Sequence, residues 1–180
     1  MNRKLQYYDI VSKTFHWLSA LAIFGLFGLG YWMVDLTYYD EWYKTGPDVH
    51  RSIGICLALV TFARMLWKLK AVHPEVEGKP YEIIIAKLVH RLFYVLLTVL
   101  FISGYLITTA DGNSIEVFNW FSVPGFGSMI ENQEDIAGEI HYYLAYTVIG
   151  LAVVHALAAI KHHFIDKDKT LIKMIGVNKQ

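Results

Sequence analysis

Long stretches without charged residues limit what this chain can fold into more than any other feature of the sequence. Three runs contain no Lys, Arg, Asp or Glu, and each has about the 20 residues that a helix needs to cross a bilayer. These runs are Thr14–Val34, Leu92–Ala110 and Ile140–Ile160. A fourth run begins at Ser52 and is interrupted by Arg64 near its end, where a long cationic side chain can reach the headgroups. We therefore predict an all-α, integral membrane four-helix bundle.

The predicted spans account for most of the chain. We place them at about residues 10–34, 50–69, 83–109 and 138–163. The length of 180 residues fits one compact domain, so residues 1–180 are predicted to form a single transmembrane domain. Only 18% of the residues are charged, which is low for a surface that faces water on all sides. A lipid bilayer is therefore the expected surrounding of the bundle.

Basic and acidic residues are separated onto the two sides of the predicted bundle. Fourteen of the 16 basic residues flank the first span, the connection between spans two and three, or the end of span four. The two other connections carry ten acidic residues and only two basic ones, Lys44 and Arg51. Because cytoplasmic connections are enriched in Lys and Arg, both termini and the second connection are predicted to be cytoplasmic. We interpret the basic side as this topology signal and not as a nucleic-acid surface.

Five of the eight histidines fall inside the spans or at their edges, where an ionisable residue is by default a functional hypothesis. They are His16, His50, His90, His141 and His155. His141 and His155 are fourteen residues apart on span four, which is about forty degrees short of four full helical turns. Their rings therefore leave one face of the helix about 21 Å apart along its axis. Two cofactors stacked across a bilayer core of about 30 Å need this placement.

Each histidine of span four has a candidate partner at its own depth. His50 lies at the outer end of span two, near the depth of His141, and His16 lies near the depth of His155. Two neutral imidazoles on opposite faces of a porphyrin give a six-coordinate iron suited to electron transfer. Structural zinc needs four ligands, and each depth offers only two or three histidines. We therefore predict two b-type haems, ligated by His50 with His141 and by His16 with His155.

A further histidine and three arginines are candidate contacts to these haems. His90 lies near the inner pair and is interpreted as a partner of a haem propionate or a quinone carbonyl, although it could replace an inner ligand. Arg64 and Arg91 are natural cationic partners for the inner propionates, and Arg51 could serve the outer haem. The alternative for all three arginines is anchoring at the membrane interface.

Other residues carry simpler expectations. Cys56 lies in an apolar run and is interpreted as a small buried side chain. His73, His162 and His163 fall outside the predicted core and are expected to be solvated at the interface. The stretch 117–121 in the longest connection is predicted to lie on the membrane surface as an amphipathic piece.

Several segments together resemble the prokaryotic cytochrome b561 family, over nearly the whole chain. They are Phe15-His16-Trp17-Leu18, Val49-His50-Arg51-Ser52-Ile53-Gly54, Glu139-Ile140-His141, Val154-His155-Ala156-Leu157-Ala158-Ala159 and the tail 161–168. The resemblance implies a four-helix bundle in the bacterial inner membrane, with two b haems and electron exchange with the quinone pool. It also implies that His16, His50, His141 and His155 occupy the ligand positions of the family.

Three functions follow from these features. We expect a transmembrane cytochrome that moves electrons between ubiquinone and a periplasmic partner, which could be a redox protein. The alternative within the family is an enzyme, a superoxide:ubiquinone oxidoreductase, but the acidic outer side would repel this anion. A third reading is a haem-free helical scaffold or transporter subunit, in which the histidines form bonds between helices. Whether the chain is an enzyme stays open at this point.

Overall fold

The computed structural model describes residues 7–176 and consists mostly of long helices. Four helices are long and apolar enough to cross a membrane, as predicted. They are α1 (Ile10–Met33), α2 (Thr45–Lys70), α3 (Pro80–Thr108) and α4 (Gln133–Phe164). A two-stranded hairpin, β1 (Ile115–Val117) and β2 (Phe121–Val123), lies between α3 and α4, and a short helix, α5 (Thr170–Ile175), follows α4.

The helices begin where the local sequence satisfies their first backbone N–H groups. The Asp9 carboxylate accepts from the Ser12 N–H at 2.9 Å and so caps α1. α3 begins with Pro80, whose missing N–H costs nothing in a first turn. α2 and α4 start at Thr45 and Gln133, ahead of the predicted spans, because hydropathy marks only the part of a helix that suits lipid. The first turn of α4 contains two acidic residues, which the helix dipole favours.

The bundle is built from two closely packed helix pairs. α1 packs along α2 and α3 packs along α4, whereas α1 with α4 and α2 with α3 make far fewer contacts. The two pairs therefore face each other across a slot that runs through the bundle. Residues on the outside of the four helices are largely apolar and exposed, as lipid contact requires; Leu21, for example, is 73% exposed.

The connection after α3 folds into an antiparallel hairpin and not into the amphipathic surface piece predicted for residues 117–121. Val117 pairs with Phe121, so three residues, 118–120, separate the two strands; the first two, Phe118 and Asn119, have positive φ angles (47° and 59°). The Trp120 N–H donates to the Val117 carbonyl at 2.8 Å, which closes a tight turn with Phe118 and Asn119 at its centre. Val117 is fully buried, and β1 packs against α2. The hairpin thus lies over the end of α2 that carries His50.

The segment containing α5 folds back against the start of α1 and the connection between α2 and α3. Lys173 Nζ bonds the Glu77 carboxylate and the Glu75 carbonyl, both at 2.7 Å. The Tyr8 N–H donates to the Lys173 carbonyl at 3.1 Å. Both ends of the described chain therefore lie at one end of the bundle, together with the second connection. We call this the basic end, and the end with the hairpin the acidic end.

Candidate functional site

Two pairs of histidines face each other across the slot between the helix pairs. His50 on α2 faces His141 on α4, with ring centres 6.3 Å apart and ring planes inclined by 69°. His16 on α1 faces His155 on α4, also with ring centres 6.3 Å apart, at 62°. The first pair lies toward the acidic end and is called the outer pair; the second lies toward the basic end and is called the inner pair. The four histidines predicted as ligands are thus brought together in the predicted pairs.

The spacing within each pair fits one iron atom between the rings. An imidazole nitrogen lies about 2 Å from a metal that it binds and about 1 Å from the centre of its own ring, so two such rings have centres about 6 Å apart. Both pairs match this spacing. His90 and His155 have ring centres only 5.2 Å apart, which is too short for the same arrangement. A Cβ added at Gly54 or Gly150 would meet no neighbouring atom within 4 Å, so no other side chain fills the space at these two positions.

The histidines of the outer pair are held by the backbone and by small residues of α1 and α3. His141 Nδ1 lies 3.1 Å from the Leu100 carbonyl and 3.2 Å from Ser103 Oγ. Because the carbonyl can only accept, Nδ1 carries the proton and Nε2 is left free to bind a metal. His50 Nδ1 is buried and has no partner among the described residues. A Cβ at Gly104 would come within 3.1 Å of His141 Cε1, so the close approach depends on glycine.

The inner pair is surrounded by polar and aromatic groups. Arg64 Nη2 lies 3.1 Å from His16 Nδ1. The ring of Phe93 packs edge-on against His155 at 5.7 Å. His90 Nδ1 donates to the Ala86 carbonyl at 2.6 Å, which leaves its Nε2 free. His90 and Arg64 therefore both lie beside the inner pair, as predicted.

The family follows from a match over nearly the whole described chain. The family model described as prokaryotic cytochrome b561 matches residues 7–177. The chain belongs to the prokaryotic cytochrome b561 family. It is accordingly a b-type cytochrome of the membrane, as the resemblance implied. Membership of this prokaryotic family also indicates that the chain is a bacterial membrane protein.

Three curated relatives from two species are similar to this chain in sequence over most of their length. Cytochrome b561 homolog 2 of Escherichia coli (strain K12) is 46% identical over 171 residues, which cover 94% of this chain and 91% of that protein. The probable superoxide oxidase CybB of Yersinia pestis is 29% identical, covering 93% of this chain and 95% of that protein. Cytochrome b561 homolog 1 of Escherichia coli (strain K12) is 26% identical, covering 93% and 98%.

The other two arginines predicted in this cytochrome b561 lie apart from the histidine rings. Arg51 forms an ion pair with Asp48 in the preceding turn of α2, and its charge also acts on the Asp111 carboxylate. The hydrogen bonds from Asn113 are the main reason why the pKa of Asp111 is below its usual value. Arg91 is exposed on the surface of α3. Only Arg64 of the three directly contacts a predicted ligand.

Three contacts to the outer pair were not predicted from the sequence of this family member. Ser103 and the carbonyl of Leu100 bond His141 from α3, and Gly30 of α1 closely approaches His50. Ser103 and Gly104 are small residues within an otherwise bulky apolar run, and this is the one sequence signal for the contact between α3 and His141. Which face of α3 meets α4 depends on packing and could not be read from these two residues alone.

A second group of ligand-type side chains lies at the basic end. Glu82, His162 and Asp166 have ligand atoms within 4.8 Å of one another. The Lys161 ammonium already lies 2.6 Å from Asp166 and 3.2 Å from Glu82, and so supplies the cation of this group. His162 is half-buried and bonds Asp168 at 2.7 Å, so the expectation that it is solvated was wrong. This cluster joins the end of α4 to the start of α3.

Proposed function

We propose that this cytochrome b561 binds two b haems and transfers electrons between the ubiquinone pool and a periplasmic partner. The observation that carries the proposal is the presence of two histidine pairs, each with ring centres 6.3 Å apart, in one slot. α4 supplies one histidine to each pair. The chain itself thus offers two redox positions at two depths of the bilayer.

The residues of the chain would hold and orient the cofactors. When bound, each haem supplies reversible one-electron transfer at its iron. His50 with His141 and His16 with His155 would each hold one haem through its iron, and two imidazole ligands per iron suit electron transfer. The bonds from His141 Nδ1 to Ser103 and Leu100 fix the orientation of that ring.

Polar residues around the two pairs would bind the haem edges. Arg64 is the cation nearest to the inner pair and is assigned to an inner propionate. His90 keeps one ring nitrogen free and is assigned to a propionate or to a quinone carbonyl. At the outer pair Arg51 would have to exchange its bond to Asp48 for one to a propionate.

The direction of the chain in the membrane and the nature of the partner follow from charge. The positive-inside rule gives an inner-membrane protein with both termini in the cytoplasm, so that the acidic end faces the periplasm. Ten acidic residues at that end favour a cationic surface on a periplasmic redox protein. Superoxide is the second candidate substrate, because the Yersinia pestis relative is named as a probable superoxide oxidase. The same acidic residues would slow the approach of this anion.

The haem-free reading accounts for the bonds that His141 and His16 make to neighbouring helices, but not for the two pairs of facing rings. Neither pair contains a hydrogen bond between its two rings among the described residues, and His50 Nδ1 is buried without a partner. A scaffold that used its histidines to join helices would satisfy these groups. A bound iron explains why two rings face each other without bonding.

Haem stoichiometry tests the proposal. The purified protein, expressed with ample haem, should contain two b haems per chain by pyridine haemochrome. His50→Ala and His16→Ala should each remove about one, whereas His73→Ala, outside the pairs, should remove none. A colourless protein, or His50→Ala and His16→Ala variants that each retain both haems, would refute the assignment.

Rapid mixing separates the two candidate electron donors or acceptors at the acidic end. The oxidised protein is mixed with superoxide, and the haem absorbance is followed with and without superoxide dismutase. We expect superoxide to reduce little of the haem, so that superoxide dismutase changes the haem absorbance only slightly. Fast reduction that depends on superoxide would favour the oxidoreductase over the relay.

A further inference from the structure

Three cations gather at the basic end in the open cleft between α2 and α3. Arg64 and Lys68 are one helical turn apart on α2, and both lie over the ring of Tyr94 on α3, at 5.9 and 5.1 Å from its centre. Arg91 precedes Tyr94 by one turn of α3, and its charge acts on Lys68 together with that of Arg64. The cluster thus combines two helices that make few other contacts.

None of the three cations forms an ion pair with an acidic side chain of residues 7–176. Acidic residues at the basic end are engaged elsewhere: Asp9 caps α1 and accepts from Trp67, Glu77 bonds Lys173, and Glu82 bonds Lys161. Three positive charges in one cleft repel one another, and the low dielectric of a membrane strengthens this repulsion. A bound anion would remove it.

The position of the cluster indicates the kind of anion. Lys68 and Arg91 are both exposed, and their neighbours on the same helix surfaces are apolar and face lipid. Leu69 is 83% exposed and Leu88 is 62% exposed. Lys68 lies in the last turn of α2, where the helix leaves the apolar layer, and Tyr94 is of the type that settles at headgroup level. Phosphates of lipids lie at this level.

We propose that Lys68 and Arg91 bind the phosphate of an anionic phospholipid in the α2–α3 cleft at the basic end. Basic pockets between membrane helices recognise acidic headgroups in this way. The Arg64 guanidinium lies 3.1 Å from His16, so we assign this residue to the slot between the helix pairs. Its charge also adds to the positive potential of the cleft. This lipid site is independent of the number of haems and of the electron partner.

Lipid retention and thermal stabilisation test the site. The full-length, haem-loaded protein is delipidated in detergent and titrated with micelles that contain phosphatidylglycerol or phosphatidylcholine. We expect phosphatidylglycerol to raise the melting temperature and to stay bound in native mass spectrometry, and phosphatidylcholine to do neither. Lys68→Gln and Arg91→Gln should each weaken phosphatidylglycerol binding by about fivefold.

Two control variants separate the site from general charge. Lys70→Gln removes the same charge two residues along α2, on another face, and should bind phosphatidylglycerol like the parent protein. Lys68→Arg keeps the cation and should retain most of the affinity. If Lys68→Gln proved unstable, Lys68→Arg and Arg91→Gln would still allow the comparison.

Three results would overturn the proposal. Equal retention of phosphatidylglycerol by Lys68→Gln, Arg91→Gln and Lys70→Gln would mean that the cleft is not the site. Equal stabilisation by inorganic phosphate would mean that the cluster binds an aqueous anion. Loss of haem or a shifted haem potential in Lys68→Gln, with lipid binding unchanged, would assign the cluster to the haem propionates.

Discussion

Glycine decides how closely the helices approach the histidines of the outer pair. A Cβ at Gly30 on α1 would lie 3.1 Å from His50 Cε1, and one at Gly104 on α3 would lie 3.1 Å from His141 Cε1. In each case the glycine belongs to the helix packed beside the one that carries the histidine. In both helix pairs, a glycine thus allows the histidine ring of the neighbouring helix to face the slot. A bulkier residue in its place would push the ring into another orientation.

Gly104→Ala should disturb the outer site and spare the inner one. The added methyl group would press on His141, which is also held by Ser103 and Leu100 and cannot move freely. In a redox titration followed by absorbance, the component that belongs to the outer haem should shift in potential or lose intensity. Gly138→Ala is the matched control, since its Cβ would meet no neighbouring atom within 4 Å. Two unchanged components in Gly104→Ala would contradict the contact.

The site residues differ in how far the sequence could predict them. The four paired histidines could be predicted because helical period and depth are both encoded locally, and an ionisable group in lipid needs a reason. Ser103 could not, because its bond to His141 depends on which face of α3 meets α4. The pairing of Arg51 with Asp48 follows from a spacing of three residues on one helix, and it competes with a propionate for the guanidinium.

At the scale of elements, the hairpin and α5 cover the two ends of the bundle in different ways. The hairpin was missed because its turn, Phe118-Asn119, contains no glycine although both residues adopt positive φ angles. The four long helices were predicted well because a run of about 20 apolar residues has few alternatives. α5 is short and is held by contacts to residues distant in sequence, so a local sequence pattern does not predict it.

Ser52→Ala should loosen the hairpin over the outer pair. Ser52 Oγ donates to the Glu116 carbonyl at 3.3 Å and accepts from the Phe118 N–H at 3.2 Å, two residues after His50. Loss of both bonds leaves a backbone N–H without this partner and should cost the hairpin about 1–3 kcal/mol. Hydrogen exchange at residues 115–123 should accelerate, whereas Ser122→Ala, on exposed β2, should leave it unchanged. Equal protection in the two variants would argue against this role of Ser52.

The attachment of α5 should weaken in acid. The hydrogen bond from the Lys173 ammonium, followed by that from the Lys169 N–H, lowers the pKa of Glu77 below its ordinary value of 4.5. A carboxyl group with a lowered pKa in the folded state stabilises that state above the unfolded value, and this contribution disappears as the pH falls through the folded pKa. Hydrogen exchange in α5, corrected for the intrinsic rate at each pH, should therefore accelerate below about pH 4.5. Glu77→Gln should flatten this pH dependence and speed exchange at neutral pH; an unaltered profile would assign the effect to other groups.

At the scale of the whole molecule, charge separation gives the bundle a direction. Lys and Arg collect at the basic end, where Tyr8 and α5 meet, and acidic residues collect at the end with the hairpin. The fold places both described termini together but carries no information on which compartment they face. The prediction of direction comes from the charge pattern, because the insertion machinery, and not helix packing, responds to Lys and Arg.

Cysteine labelling can test the predicted direction. In a Cys56→Ser background, Tyr39→Cys places a thiol at a site that is 94% exposed at the acidic end, and Lys167→Cys places one at the basic end. A membrane-impermeant maleimide should label the Tyr39→Cys protein in intact spheroplasts and the Lys167→Cys protein only after lysis. Labelling of both in detergent is the control for reactivity. The reverse pattern would show that the termini lie in the periplasm.

The position of α4 in the chain has a consequence for biosynthesis. Each histidine pair takes one ring from α4, and this helix is the last of the four long ones to leave the ribosome. The earlier spans can enter the membrane and the first helix pair can assemble while α4 is still being synthesised. Neither pair can close until then, so the nascent chain cannot capture a cofactor between two paired histidines before α4 has been synthesised.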